Sequence, residues 1–140
     1  MARVTKADYE TLAAFRYALR QFVYFSEQAA SAVGLTPQQH QALLAIKGFP
    51  GRDYVTIGEL AERLRIRHHS AVGLVDRLTA LNLVTRESAK DDRRQVFVSL
   101  TARGLHILEQ LSAVHGEELR RIGPQLSELL ARLGEGNNPG

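Results

Sequence analysis

The stretch "TIGELAERLRIRHHSAVGLVDRL", Thr56 to Leu78, decides the fold. It carries two helical patterns with "LRIR" between them. The first opens on a capping box, Thr56 as cap and Glu59 reaching back to it, and runs to about Leu64. In the second, Leu74, Val75 and Leu78 recur at three- and four-residue steps and bury together. A short helix, a tight connection and a second helix is the layout of a helix-turn-helix, whose second helix enters the DNA major groove. The other side of that second helix offers His68, His69 and Ser70, then Gly73 in a helix interior. Glycine costs roughly 1 kcal/mol there against alanine. A short, hydrogen-bonding face lets the backbone sink into a groove about 12 Å wide. His68, His69 and Ser70 then donate to or accept from base edges or phosphates, and Gly73 removes a side chain that would hold the helix away. The free N–H groups of the helix start favour a phosphate oxygen. Arg65 and Arg67 are either phosphate ligands or polar edges of the turn.

Working outward, apolar residues recur at helical spacing from about Ala7 to Val33, and Gly34 supplies a stop. Phe15, Tyr17, Phe22, Tyr24 and Phe25 point in more directions than one stripe absorbs, so a second subunit is expected to cover part of this helix. Another helix opens at "TPQQH", with Thr36 as cap, Pro37 in the first turn and Gln39 three residues after the cap, and ends near Lys47. "YVT" is a short extended segment. After Asn82, a left-handed cap for the second helix of the pair, "LVTRES" and "QVFVSL" flank the charged "AKDDRR" and predict a two-stranded hairpin. Such a hairpin is a wing, its basic residues Arg86, Lys90, Arg93 and Arg94 reaching sideways to DNA. Thr101 then caps a long helix that Gly123–Pro124 is expected to break, leaving a last short helix to Leu133.

The predicted fold is therefore mainly α with a small β-hairpin wing, an α+β winged helix-turn-helix head between terminal helices. Its segments are 7–34 for the N-terminal dimerisation helix, 35–100 for the head and 101–133 for the C-terminal dimerisation helices, with disordered tails at 1–6 and 134–140.

Composition narrows the function. The 140 residues suit one domain with extra helices for association. Neither a membrane span nor an export signal is visible in the pattern, so a cytoplasmic protein is expected. With no cysteine there is no thiolate chemistry or disulfide. The net charge is +3, and its placement is uneven. Arg63 to Arg94 hold eight basic and four acidic residues, whereas the remainder holds ten basic and eleven acidic. Excess positive charge confined to the middle third is the footprint a polyanion selects, although chance clustering on a solvated surface gives the same count. Adjacent His68 and His69 point in different helix directions, and a zinc site would need carboxylates and His40, His106 and His115 to converge. No metal and no cofactor are expected. There is no nucleophile elbow, Gly-rich phosphate loop or metal motif, so no enzyme is expected either.

From about Leu35 to Gly104 the chain resembles the multiple antibiotic resistance regulator (MarR) family of winged helix-turn-helix transcription factors. The matching stretches are "LTPQQHQALLAI", "TIGELAERL", "SAVGLVDRLTALNLVTRE" and "DDRRQVFVSLTARG". The last is the most specific. The resemblance implies a homodimer in which the outer helices interlock and hold two heads over successive major grooves of a pseudo-palindromic double-stranded DNA operator. It implies that Asp92 holds Arg94 for entry into the minor groove and that Arg77 contacts phosphate. Family members often carry a basic residue where this sequence has Gly73, a departure that bears on operator sequence. The family's usual switch is a small aromatic or lipophilic effector, for which Tyr17, Tyr24, Phe25, Phe49 and Tyr54 are lining residues or else core and interface aromatics. A repressor released by such a ligand is the expected function. The alternative is a winged-helix protein-interaction module that does not bind DNA.

Overall fold

The structure is a computed structural model and describes residues 3–88 and 95–136. In chain order the elements are α1 (Lys6–Ala32), α2 (Pro37–Lys47), β1 (Tyr54–Thr56), α3 (Ile57–Leu64), α4 (His68–Ala80), β2 (Val84–Ser88), β3 (Val96–Leu100) and α5 (Ala102–Gly136). They form two compact units: the residues up to Ala29 with those from Ala113 onward, and Ala30–Ser112.

In the second unit the caps predicted from sequence set the helix starts. The Thr36 hydroxyl accepts the Gln39 N–H at 3.1 Å while the Thr36 N–H donates to Gln39 Oε1 at 3.0 Å. Thr56 and Glu59 repeat the exchange at 2.9 and 3.1 Å, fixing where α3 begins. The turn after α3 rests on Arg65, which is left-handed at φ 56°, and the Ile66 N–H closes it on the Ala61 carbonyl at 3.0 Å. That conformation costs a non-glycine residue roughly 1–2 kcal/mol. Asn82 takes the same conformation at φ 59° after α4, as its short polar side chain permits.

The sheet differs from the predicted hairpin. β1 joins it, and the order is β1-β3-β2, antiparallel throughout. Val55 pairs with Val98 in register, and both are fully buried, so "YVT" gains a partner by placing its one inward valine on the central strand. Leu43, Ile46, Leu60, Leu74, Val75, Leu78 and Leu83 complete that core. α5 begins where Thr101 accepts the Gly104 N–H at 3.0 Å and donates to the Asn82 carbonyl at 2.7 Å. A Cβ on Gly104 would lie 2.1 Å from the Leu83 carbonyl oxygen, so only glycine lets α5 start this close to the strand entry.

In the first unit, His115 on α5 sits edge-on to Phe22 and Phe25 of α1, with ring centroids 5.9 and 5.5 Å apart. Its Nε2 lies 2.8 Å from Ser26 Oγ. The break expected at Gly123–Pro124 does not occur: Pro124 lies inside α5, and the helix runs on past Leu133 to Gly136. Ile122, Leu126, Leu129 and Leu133 keep helical spacing across the proline, all of them buried or half-buried, so one apolar stripe continues where one N–H is missing.

Candidate nucleic-acid interface

The inner stripe of α4 is Ala71, Leu74, Val75 and Leu78, all buried. At 100° per residue the opposite side is centred on His69, Gly73, Asp76 and Ala80, with Ser70 and Arg77 at its margin. His69, Ser70, Asp76 and Arg77 are exposed, as are Arg65 and Arg67 in the turn before the helix. His68 lies to one side. It lines a cavity of about 270 Å³ with Thr56, Ile57, Gly58, Gln95 and Val96, next to the start of α3 and the end of the hairpin. The two histidines thus face different surroundings, as neighbours on a helix must.

A Cβ at Gly73 would meet only Arg77 Nη1, at 3.5 Å, an ordinary contact. Nothing inside the protein requires glycine there. The side chain is missing from the outer face alone, which leaves the α4 backbone open between His69 and Asp76.

One acid on this face has a partner that the sequence does not reveal. Asp76 is paired with Arg86 of β2, so the outer face of α4 and the base of the hairpin are tied to each other. No local pattern announces a pair ten residues apart on two elements. Arg86 keeps an exposed side chain while neutralising Asp76. Lys90, Asp92, Arg93 and Arg94, the predicted wing tip, lie outside the described residues.

The start of α3 is held from behind. Arg52 is paired with Glu59, the residue that completes the α3 capping box. Burial pushes the Glu59 carboxyl up, but hydrogen bonds from Thr56 and the Arg52 guanidinium outweigh it and leave the group below its ordinary range. Arg52 also lies over the rings of Phe49, at 4.3 Å, and Tyr54, at 5.1 Å, while Arg63 of α3 lies 4.8 Å from the Phe49 centroid. The Tyr54 and Phe97 rings lie 4.7 Å apart, tilted at 47° to each other. Two of the predicted effector-lining aromatics are therefore engaged with arginines that brace the helix-turn-helix. The other three lie on α1: Tyr17 and Tyr24 are exposed and Phe25 packs on His115. Tyr24 lines a depression of about 340 Å³ with Arg16, Leu19, Arg20, Val23 and Glu27. Among the described residues, no helix is long and apolar enough to cross a membrane.

The model of the MarR family matches residues 33–95. The transcriptional activatory protein BadR of Rhodopseudomonas palustris is 31% identical over 97 residues, 66% of this chain and 55% of BadR, so the match spans little more than half of that relative. Among solved structures, the fold is similar to AbsC, a MarR family transcriptional regulator from Streptomyces coelicolor. The TM-score is 0.74 at 23% identity, covering 99% of this chain and 95% of AbsC. It is similar also to a MepR variant from Staphylococcus aureus bound to an oligodeoxyribonucleotide, with a TM-score of 0.68 at 21% identity over 89% of this chain and 90% of that one. Over residues 33–95, which include the whole helix-turn-helix, the chain is thus similar to the MarR family, and its fold is shared almost from end to end with AbsC.

Proposed function

We propose that the protein is a homodimeric, sequence-specific regulator of transcription that binds a pseudo-palindromic double-stranded DNA operator. The observation that carries this reading is the two-sidedness of α4. Its inner stripe is fully buried, and its outer face combines a gap at Gly73 with His69, Ser70 and Arg77 and follows the arginine-bearing turn at Arg65 and Arg67. In this reading the outer face enters the major groove and those arginines contact phosphate. The Arg86–Asp76 pair sets the angle of the wing, on which Lys90 and Arg93 meet the backbone and Asp92 holds Arg94 in the minor groove. MepR supplies a precedent for a protein of this fold bound to an oligodeoxyribonucleotide.

The homodimer is supported by the outer helices. Leu12, Leu19 and Val23 fall on one face of α1 and are 45%, 36% and 52% exposed, more apolar surface than a helix leaves in water without a partner. The effector reading rests on the depression beside Tyr24, where Leu19 and Val23 form an apolar wall and Arg16 and Arg20 offer guanidinium groups, a combination suited to a small aromatic carboxylate. In this reading the protein is a repressor that such a ligand releases from DNA.

Fluorescence anisotropy against duplexes recovered by the protein from a random-sequence pool tests the reading. Affinity should fall steeply between about 50 and 200 mM salt. Arg77→Ala should weaken binding to all sequences alike and reduce the salt slope by about 1. Absence of binding to any duplex at low salt rules the regulator reading out.

A further inference from the structure

The start of α4 is built unlike the other helix starts. α2 and α3 begin on threonine capping boxes, α1 on the exchange between Thr5 and Asp8, and α5 on Thr101. α4 begins on Arg67, which makes no side-chain cap, and its first turn contains no acid. In their place stand His68 and His69, both exposed. Among the described residues, neither imidazole makes a hydrogen bond or ion pair. The charged residues of the elements packed on α4 are Glu59, Glu62 and Arg63 of α3 and Arg86 and Glu87 of β2, with Arg65 and Arg67 in the turn and Asp76 and Arg77 on α4 itself. Glu59 is paired with Arg52 and Asp76 with Arg86. Among the described residues, the cavity beside His68 has no charged side chain in its lining.

A protonated imidazole at this place stands at the start of a helix beside Arg67, and duplex phosphates laid against that face supply the opposite charge. Histidine is the side chain whose charge ordinarily changes between about pH 5 and 8, and the protonated ring donates from both nitrogens. We propose that the start of α4 is a proton-linked docking surface, on which His69, with His68 beside it, takes up a proton as the face closes on duplex DNA. Proton and DNA are then co-ligands, and by linkage acidification tightens binding. The inference rests on the DNA-binding reading above and adds to it a response to cytoplasmic acidification that needs no organic effector.

The test is anisotropy at constant ionic strength with the full-length protein and two probes, a duplex recovered from the random pool and poly(dI-dC). Wild type should bind about tenfold more tightly near pH 6 than near pH 8, the change expected for net uptake of about half a proton or more over that range. Its salt slope should steepen by about 1 at the lower pH. In the double variant His68→Gln, His69→Gln the ratio between the two pH values should shrink to about twofold or less, whereas His106→Gln should keep it. Calorimetry of wild type in buffers of different ionisation heat should read proton uptake directly, without reliance on a variant. Binding by wild type that is flat with pH, or a pH ratio that survives in the double variant, overturns the proposal while leaving DNA binding intact. No binding to either probe at either pH overturns the DNA-binding reading and this inference with it.

Discussion

Two glycines show how differently one residue type is used. Gly104 is set by the protein: a methyl group there would overlap the Leu83 carbonyl, so Gly104→Ala should cost about 2 kcal/mol or more in urea unfolding. Gly73 is not. Gly73→Ala should raise stability by about 0.5–1 kcal/mol, by restricting the unfolded chain and favouring helix, and at the same time weaken duplex binding about tenfold. Opposite signs for fold and affinity are the signature of a residue kept for something outside the protein; a variant that is stabler and binds DNA equally well would sink that view. Gly73 stood out in the sequence because helix interiors disfavour glycine. Gly104 did not, because the Leu83 carbonyl that demands it lies 21 positions away, on the far side of the hairpin. The left-handed Arg65 was equally hidden, since such turns ordinarily announce themselves with glycine or asparagine, as Asn82 does.

At the scale of elements, what was legible was local. The threonine caps at Thr36, Thr56 and Thr101 were readable because each partner lies three residues ahead, and the hydrophobic spacing of α4 identified its buried stripe. Pairings over longer distances were not readable. β1 owes its place to Val98, and Asp76 owes its neutralisation to Arg86, neither encoded by spacing. Pro124 reads as a break in the sequence, but the apolar stripe that continues beyond it carries α5 through the missing N–H. The capping box of α3 also carries a pH dependence. Glu59 titrates below its ordinary value near 4.5 when folded, so its contribution is fully present above that value and disappears as pH falls through the folded one. Thr56→Ala should cost about 1 kcal/mol at neutral pH. Glu59→Gln should likewise be less stable than wild type at pH 7, with the gap narrowing in urea titrations as the buffer is taken below about pH 4; a gap that stays constant with pH would show that the carboxylate charge is irrelevant to the cap.

For the whole molecule, the proposal needs two heads on one duplex. The exposed apolar face of α1 is the surface assigned to association, so Leu19→Glu with Val23→Glu should shift sedimentation equilibrium toward monomer and weaken operator binding together. Loss of dimer without loss of affinity would separate the two and refute the paired-head arrangement. The most direct measurement is a hydroxyl-radical footprint on a duplex selected by the protein itself. Two protected patches on one face of the DNA, about one helical turn apart, are the predicted pattern. Even cleavage along the duplex, at protein concentrations and low salt that saturate any phosphate-driven binding, would contradict the claim that α4 docks in the groove.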